Sequence, residues 1–272
     1  MNSNLLGTRV EAVLDAVLAD DPDHAVVVNP SGCVLEDLIE AAADRDDLAP
    51  LRVLAVEDVL KDVMDDFLVA SRAADLVDDD VLSLRTASDL PRHSLVLTPE
   101  TVVSLVAIGD RVAGIAADDA EFVETATAAI DTDWEAADPF QLRTPPITAV
   151  RETLGTEIGE EARADFDAVL ASMETARGDE DDLDEVTVSL LVAARNRVLL
   201  YDISKWGEDV GIASKATFSR TKTKLEDLGL IDTEKVPIDV GRPRLRLRLA
   251  DDRLQDAEVD DLASVATSVL AS

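Results

Sequence analysis

The segment from Ser214 to Lys224 is crowded with groups that hydrogen-bond or neutralise charge: Ser214, Lys215, Thr217, Ser219, Arg220, Lys222, Thr223 and Lys224. A guanidinium grips two acceptors at once and short hydroxyls reach donors and acceptors alike, which suits base edges. Ammonium groups on long stems suit phosphates. Further on, Arg242, Arg244 and Arg246 recur at every second residue, the spacing that puts side chains on one face of a strand. This is chemistry for gripping a polyanion rather than for making bonds. Its setting sharpens the point. The 272-residue chain carries 58 acidic and 25 basic side chains, a net charge of -33. Yet residues 205–249 hold ten basic against seven acidic groups, and five of the six lysines fall between Lys205 and Lys235. A chain this acidic keeps a basic island where something needs it. The bland alternative for the island is chance clustering on a solvated face, and for the arginine run a solvated hairpin whose arginines pair with abundant carboxylates.

Those side chains need a scaffold, and the surrounding pattern predicts one. Asp184 is placed to cap a helix over about 185–200, a short helix follows over 203–210, and Gly211 ends it. Ser214 caps a third helix, with Phe218, Thr221, Leu225 and Leu228 as its inner stripe and Gly229 as its stop. Thr233–Ile238 and Arg244–Leu249 form a hairpin, with Leu245, Leu247 and Leu249 on one face and Arg244, Arg246 and Arg248 on the other. Helix, helix, helix, hairpin is the order of a winged helix-turn-helix. In that frame Thr217, Ser219 and Arg220 are the candidates for base contacts. Lys215, Lys222, Lys224, Arg244 and Arg246 are candidates for phosphates, and Arg242 for the adjacent backbone or minor groove. Ser214 and Thr223 complete the expected DNA-binding set.

Upstream, apolar β-branched runs alternate with helical patterns. A helix is expected over Asn4–Ala19 and a strand over His24–Asn29. A further strand spans Leu51–Val56, followed by one long helix over Glu57–Val77. Strands at Val81–Thr86 and Ser94–Thr98, a hairpin around Gly109-Asp110 and a helix over Asp118–Ile130 complete an α/β layer. Its sheet is expected to be mostly parallel with an antiparallel edge. Asp131–Pro146 reads as a linker. The expected organisation is an α/β sensor or regulatory domain over 1–146 and a helical linker over 147–184. A winged helix-turn-helix with a C-terminal helix follows over 185–272. The turn Asn29-Pro30-Ser31-Gly32 lies where open α/β sheets bind ligands, so Asn29, Ser31 and Gly32 are candidates for a small-molecule effector site.

Enzyme chemistry has little to work with. Two histidines, His24 and His93, and one cysteine leave no metal cluster, and no phosphate loop or nucleophile elbow occurs. No catalytic residue, metal or cofactor is expected, and Cys33 is expected to be a small buried hydrophobe. No apolar run is long enough for a membrane helix, and a lone cysteine points to no oxidising compartment, so a cytoplasmic protein is expected. The density of acid implies a cytoplasm of high ionic strength, where screening relieves self-repulsion.

The string GIASKATFSRTKTKLEDLGLI resembles the winged helix-turn-helix of archaeal and bacterial transcription regulators. Nearly the whole chain resembles the haloarchaeal regulators called TbsP, in which an N-terminal α/β domain precedes a C-terminal winged helix. That resemblance implies transcription control of central carbon metabolism. One winged helix offers a small interface, which favours a homodimer on double-stranded DNA. Its seam is expected along Val259, Leu262, Val265, Ala266 and Val269, or along the helix around Phe166–Met173. The alternative function is a module that binds a metabolite or an acidic protein partner and no DNA.

Overall fold

In a computed structural model of the chain, the described residues are 4–7, 17, 23–45, 48–108, 111–173, 175–176, 183–237 and 243–270. They form two compact units, Met1–Asp65 with Arg72–Leu142, and Asp66–Ser71 with Arg143–Ser272.

Short apolar runs give the first unit its strands: β1 (Asn4–Gly7), β2 (Ala25–Val28), β3 (Leu51–Ala55), β4 (Leu82–Thr86), β5 (Ser94–Leu97), β6 (Val102–Ile108), β7 (Arg111–Ala117) and β8 (Asp138–Pro139). They make one sheet in the order β1-β7-β6-β5-β2-β3-β4-β8. The sheet is mixed. Only β2-β3 and β3-β4 pair in parallel, and the other neighbours are antiparallel. The antiparallel share is therefore larger than a single edge, because β5, β6, β7 and β1 continue the sheet as a meander and a terminal strand. Every residue of β2 is buried, as a strand covered on both faces requires. The helices are α1 (Gly32–Ala43), α2 (Glu57–Met64), α3 (Phe67–Asp78), of which Phe67–Ser71 belongs to the second unit, and α4 (Ala120–Ala136). Val123 and Ile130 of α4 pack on Val26, Val28, Leu97 and Val102.

Several local expectations give way to long-range pairing. Asn4–Gly7 is a strand, not the start of a helix, because it completes the open edge of β7; most of the remaining expected helix lies outside the described residues. The long helix over 57–77 breaks at Asp65-Asp66. The buried Asp66 carboxylate accepts the Leu68 N–H at 2.9 Å and starts a new helix. It also accepts the Thr175 hydroxyl at 2.5 Å and the Ala176 N–H at 3.3 Å. The expected linker begins as helix. Arg85 and Arg52 stack on Trp134, with their guanidinium carbons 4.8 and 5.6 Å from the ring centre, and hold α4 in place as far as Ala136. Asp138–Pro139 then pairs with β4. Cys33 is exposed, not buried.

The second unit contains α5 (Ile147–Glu157), α6 (Glu160–Ala171), α7 (Glu185–Arg195), α8 (Leu200–Val210), α9 (Lys215–Asp227), the hairpin β9 (Ile231–Val236) and β10 (Arg244–Leu249), α10 (Asp252–Asp256) and α11 (Leu262–Leu270). Asp184 caps α7 by accepting the Thr187 N–H at 2.6 Å, and every residue from Val186 to Ala194 is buried. Trp206 is buried in the same core and donates its ring N–H to Thr153 at 3.0 Å, as a buried indole requires. Leu262 and Ala266 are sealed into this core, with Val259, Val265 and Val269 packed against it. Phe166, Val169 and Leu170 join it as well. Both stripes expected as a seam between two copies thus pack in large part within one chain, with Val259, Val265, Val269 and Met173 left partly exposed.

Candidate nucleic-acid interface

The site grows from α7, α8, α9 and the hairpin. Phe218 and Leu225 of α9 are buried, and Gly229 (φ 73°) reverses the chain so that Leu230 and Ile231 enter the core. Leu228, expected on the inner stripe, is 42% exposed because it lies just beyond the last helical turn. β9 and β10 pair antiparallel from Ile231↔Leu249 to Val236↔Arg244, and Leu199 bridges to Arg246 as a third, minimal strand. Three helices and a small sheet joined in this order give the second unit a winged helix-turn-helix.

Gly207 is why α8 and α9 approach so closely. A Cβ there would come within 2.3 Å of two carbons of the buried Phe218 ring, so a larger residue would force the two helices apart. With the apolar side of α9 held down, the opposite side faces out. Ser219, Arg220, Thr223 and Lys224 are exposed, while Lys215 and Thr217 are half-buried. Ser214 caps the helix by accepting the Thr217 N–H at 3.2 Å, and the two hydroxyls lie 3.0 Å apart. Thr223 donates to the Ser219 carbonyl at 3.0 Å.

The cations are not all free. Lys215 pairs with Glu208 and Lys205 with Asp209. Lys222, expected at a phosphate, is only 12% exposed; it bonds Glu226 at 2.8 Å, and Glu226 accepts the Thr233 hydroxyl at 3.0 Å. Arg244 lies 3.6 Å from Asp202 with its guanidinium 5.1 Å above the Tyr201 ring. Arg246 shares Glu234 with Arg197, and Arg248 pairs with Asp232. The Lys215 hydrogen bonds hold the Glu208 carboxyl below its ordinary range, and the Arg197 guanidinium does the same for Glu234. Among the described residues Arg220, Lys224 and Lys235 have no such partner. Arg242 lies outside the described residues. The sequence reading missed Tyr201, Glu208 and Arg197. Tyr201 is the chain's one tyrosine and is 51% exposed, a signal that was available.

In the first unit, Asn29 has a positive φ of 49° and is tied down: its amide donates to the Pro91 carbonyl and its own carbonyl accepts the Ser94 hydroxyl, each at 2.8 Å. Ser31 precedes α1 without a side-chain cap bond. A Cβ on Gly32 would meet only Val63 at an ordinary 3.6 Å. None of the three lines the cleft of about 640 Å³ at the carboxyl ends of β3 and β4, which is walled by Glu57, Asp58, Ser88, Asp89, Asp133 and Asp138 among others. Among the described residues no three His, Cys, Asp or Glu side chains converge as a metal site needs. No described helix is long and apolar enough to cross a membrane.

A DNA-binding transcription regulator is the class that this unit defines. The model of the TbsP-like regulator N-terminal domain matches residues 2–145, and that of the TbsP-like C-terminal helix-turn-helix domain matches residues 146–267. The chain belongs to the TbsP-like transcriptional regulators. Among solved structures it is similar to TrmBL2, an archaeal chromatin protein described as showing a novel mode of DNA binding. The identity is 15%, the match covers 50% of this chain and 53% of that one, and the TM-score is 0.36. A search of curated proteins finds no match.

Proposed function

We propose that this regulator reads duplex DNA with the outward face of α9 in the major groove. Thr217, Ser219 and Arg220 meet base edges; Lys215, Lys224, Arg244 and Arg246 hold flanking phosphates; Arg242 reaches the adjacent backbone or minor groove. Ser214 and Thr223 line the same face. Lys222 serves indirectly, fixing α9 to the hairpin through Glu226 and Thr233. One observation carries this reading: the buried Phe218 and Leu225 leave α9 showing solvent an unpaired guanidinium and ammonium flanked by hydroxyls. The surface ion pairs around them are worth little each, so phosphates can replace the carboxylates.

The regulator is a non-catalytic cytoplasmic protein of a halophilic archaeon, and its targets are genes of central carbon metabolism. It acts as a homodimer on a symmetric site, since one winged module buries only roughly 600–1,000 Å². Residues 1–146 sense a small effector, for which the Asn29–Gly32 turn is the first site to test. Residues 147–184 link them to the DNA-binding domain at 185–272. Electrophoretic mobility shift on genomic fragments tests the core of this reading. A subset of fragments should shift and be competed only by unlabelled copies of itself; no shift at any KCl concentration would contradict it.

A further inference from the structure

We propose that Glu208 is a built-in competitor for DNA: its carboxylate occupies the anion position at the start of α9 that a phosphate takes when the helix docks. The inference rests on the DNA-binding reading above. Glu208 lies in the last turn of α8, across the Gly211–Ser214 turn from Lys215. One of its oxygens accepts the Lys215 backbone N–H at 3.2 Å, and the other bonds the Lys215 ammonium. A free N–H of the first helical turn, a neighbouring cation and the positive end of the helix dipole are the means by which helices hold phosphate. Ser214 caps a different donor of the helix, the Thr217 N–H, and leaves the Lys215 N–H to Glu208. Both members of the pair are 42% exposed, so the contact can exchange. The neighbouring Asp209 carries the same charge but bonds Lys205 within α8, so it separates site competition from general repulsion.

The experiment is a fluorescence anisotropy titration of the full chain against a genomic fragment that it shifts, over a range of KCl, with thermal melts as the folding control. Glu208→Gln keeps an acceptor for the N–H and loses the charge. It should bind about two- to fivefold tighter at low salt, the strength of an exposed ion pair. Its plot of log affinity against log KCl should steepen by about one. Asp209→Asn should gain less, and the gain should vanish when Lys215→Gln is added to Glu208→Gln. Should Glu208→Gln melt early, Glu208→Asp, whose shorter reach leaves the N–H, should show a smaller gain in the same direction. A Glu208→Gln protein that binds no tighter, that gains no more than Asp209→Asn, or that keeps its gain without Lys215 overturns the proposal. A wild-type chain that shifts no fragment overturns the DNA-binding reading itself, and this inference with it.

Discussion

Arg220 and Lys224 stand one turn apart on α9, and the structure gives both exposed, unpaired side chains among the described residues. They should nonetheless fail differently. Arg220→Ala should cost about 1–3 kcal/mol on the preferred site and flatten the preference between sequences, as loss of a bidentate base contact does. Lys224→Ala should weaken all sequences alike and lower the salt slope by about one. Anisotropy on the preferred site and on single-base variants distinguishes them; a footprint unchanged by Arg220→Ala would remove that residue from the reading face. At this scale the sequence revealed the groups but not their neighbours. Arg244 meets Asp202 from 42 positions upstream, and Glu234 is shared by Arg197 and Arg246. A charge run shows what is present, whereas pairing depends on which elements the fold brings together.

The elements themselves were legible where local periodicity decides them. Ser214, Phe218, Leu225 and Gly229 specify a capped helix whichever way the rest folds, and α9 follows them. Elements set by distant partners were not: Asn4–Gly7 pairs as a strand along the edge of β7, and the last turns of α4 carry Trp134, on which Arg52 and Arg85 stack. The close contact between α8 and α9 at Gly207 and Phe218 sets how α9 sits on the unit. Gly207→Ala should therefore destabilise the second unit by about 1–3 kcal/mol, the usual cost of overpacking, and weaken DNA binding by tilting α9. Thermal melts with parallel anisotropy check both; unchanged melting would show that the contact yields. The hairpin carries a pH signature as well. Arg197 lowers the Glu234 pKa in the folded chain. Its pairing thus stabilises above the ordinary carboxylate range and is lost as pH falls through the lower folded value. Glu234→Gln should melt below wild type at neutral pH, with the gap closing as pH falls below the ordinary carboxylate range.

At the level of the whole molecule, the acidic surplus sets the terms of binding. A net charge of -33 is repelled by DNA, and salt screens that repulsion while it also weakens the phosphate contacts. Affinity should therefore change less with KCl than the basic island alone would give; a steep, monotonic fall would contradict this balance. Light scattering in molar KCl should return about twice the 29.1 kDa of one chain, and a strictly monomeric mass would exclude the dimer. The most direct test of the account reverses the charges of Arg220 and Lys224, the two α9 cations without a partner among the described residues. The Arg220→Glu, Lys224→Glu protein should melt like wild type and bind a shifted genomic fragment more than about tenfold more weakly. Undiminished binding by that folded variant would show that DNA, if held at all, is held elsewhere.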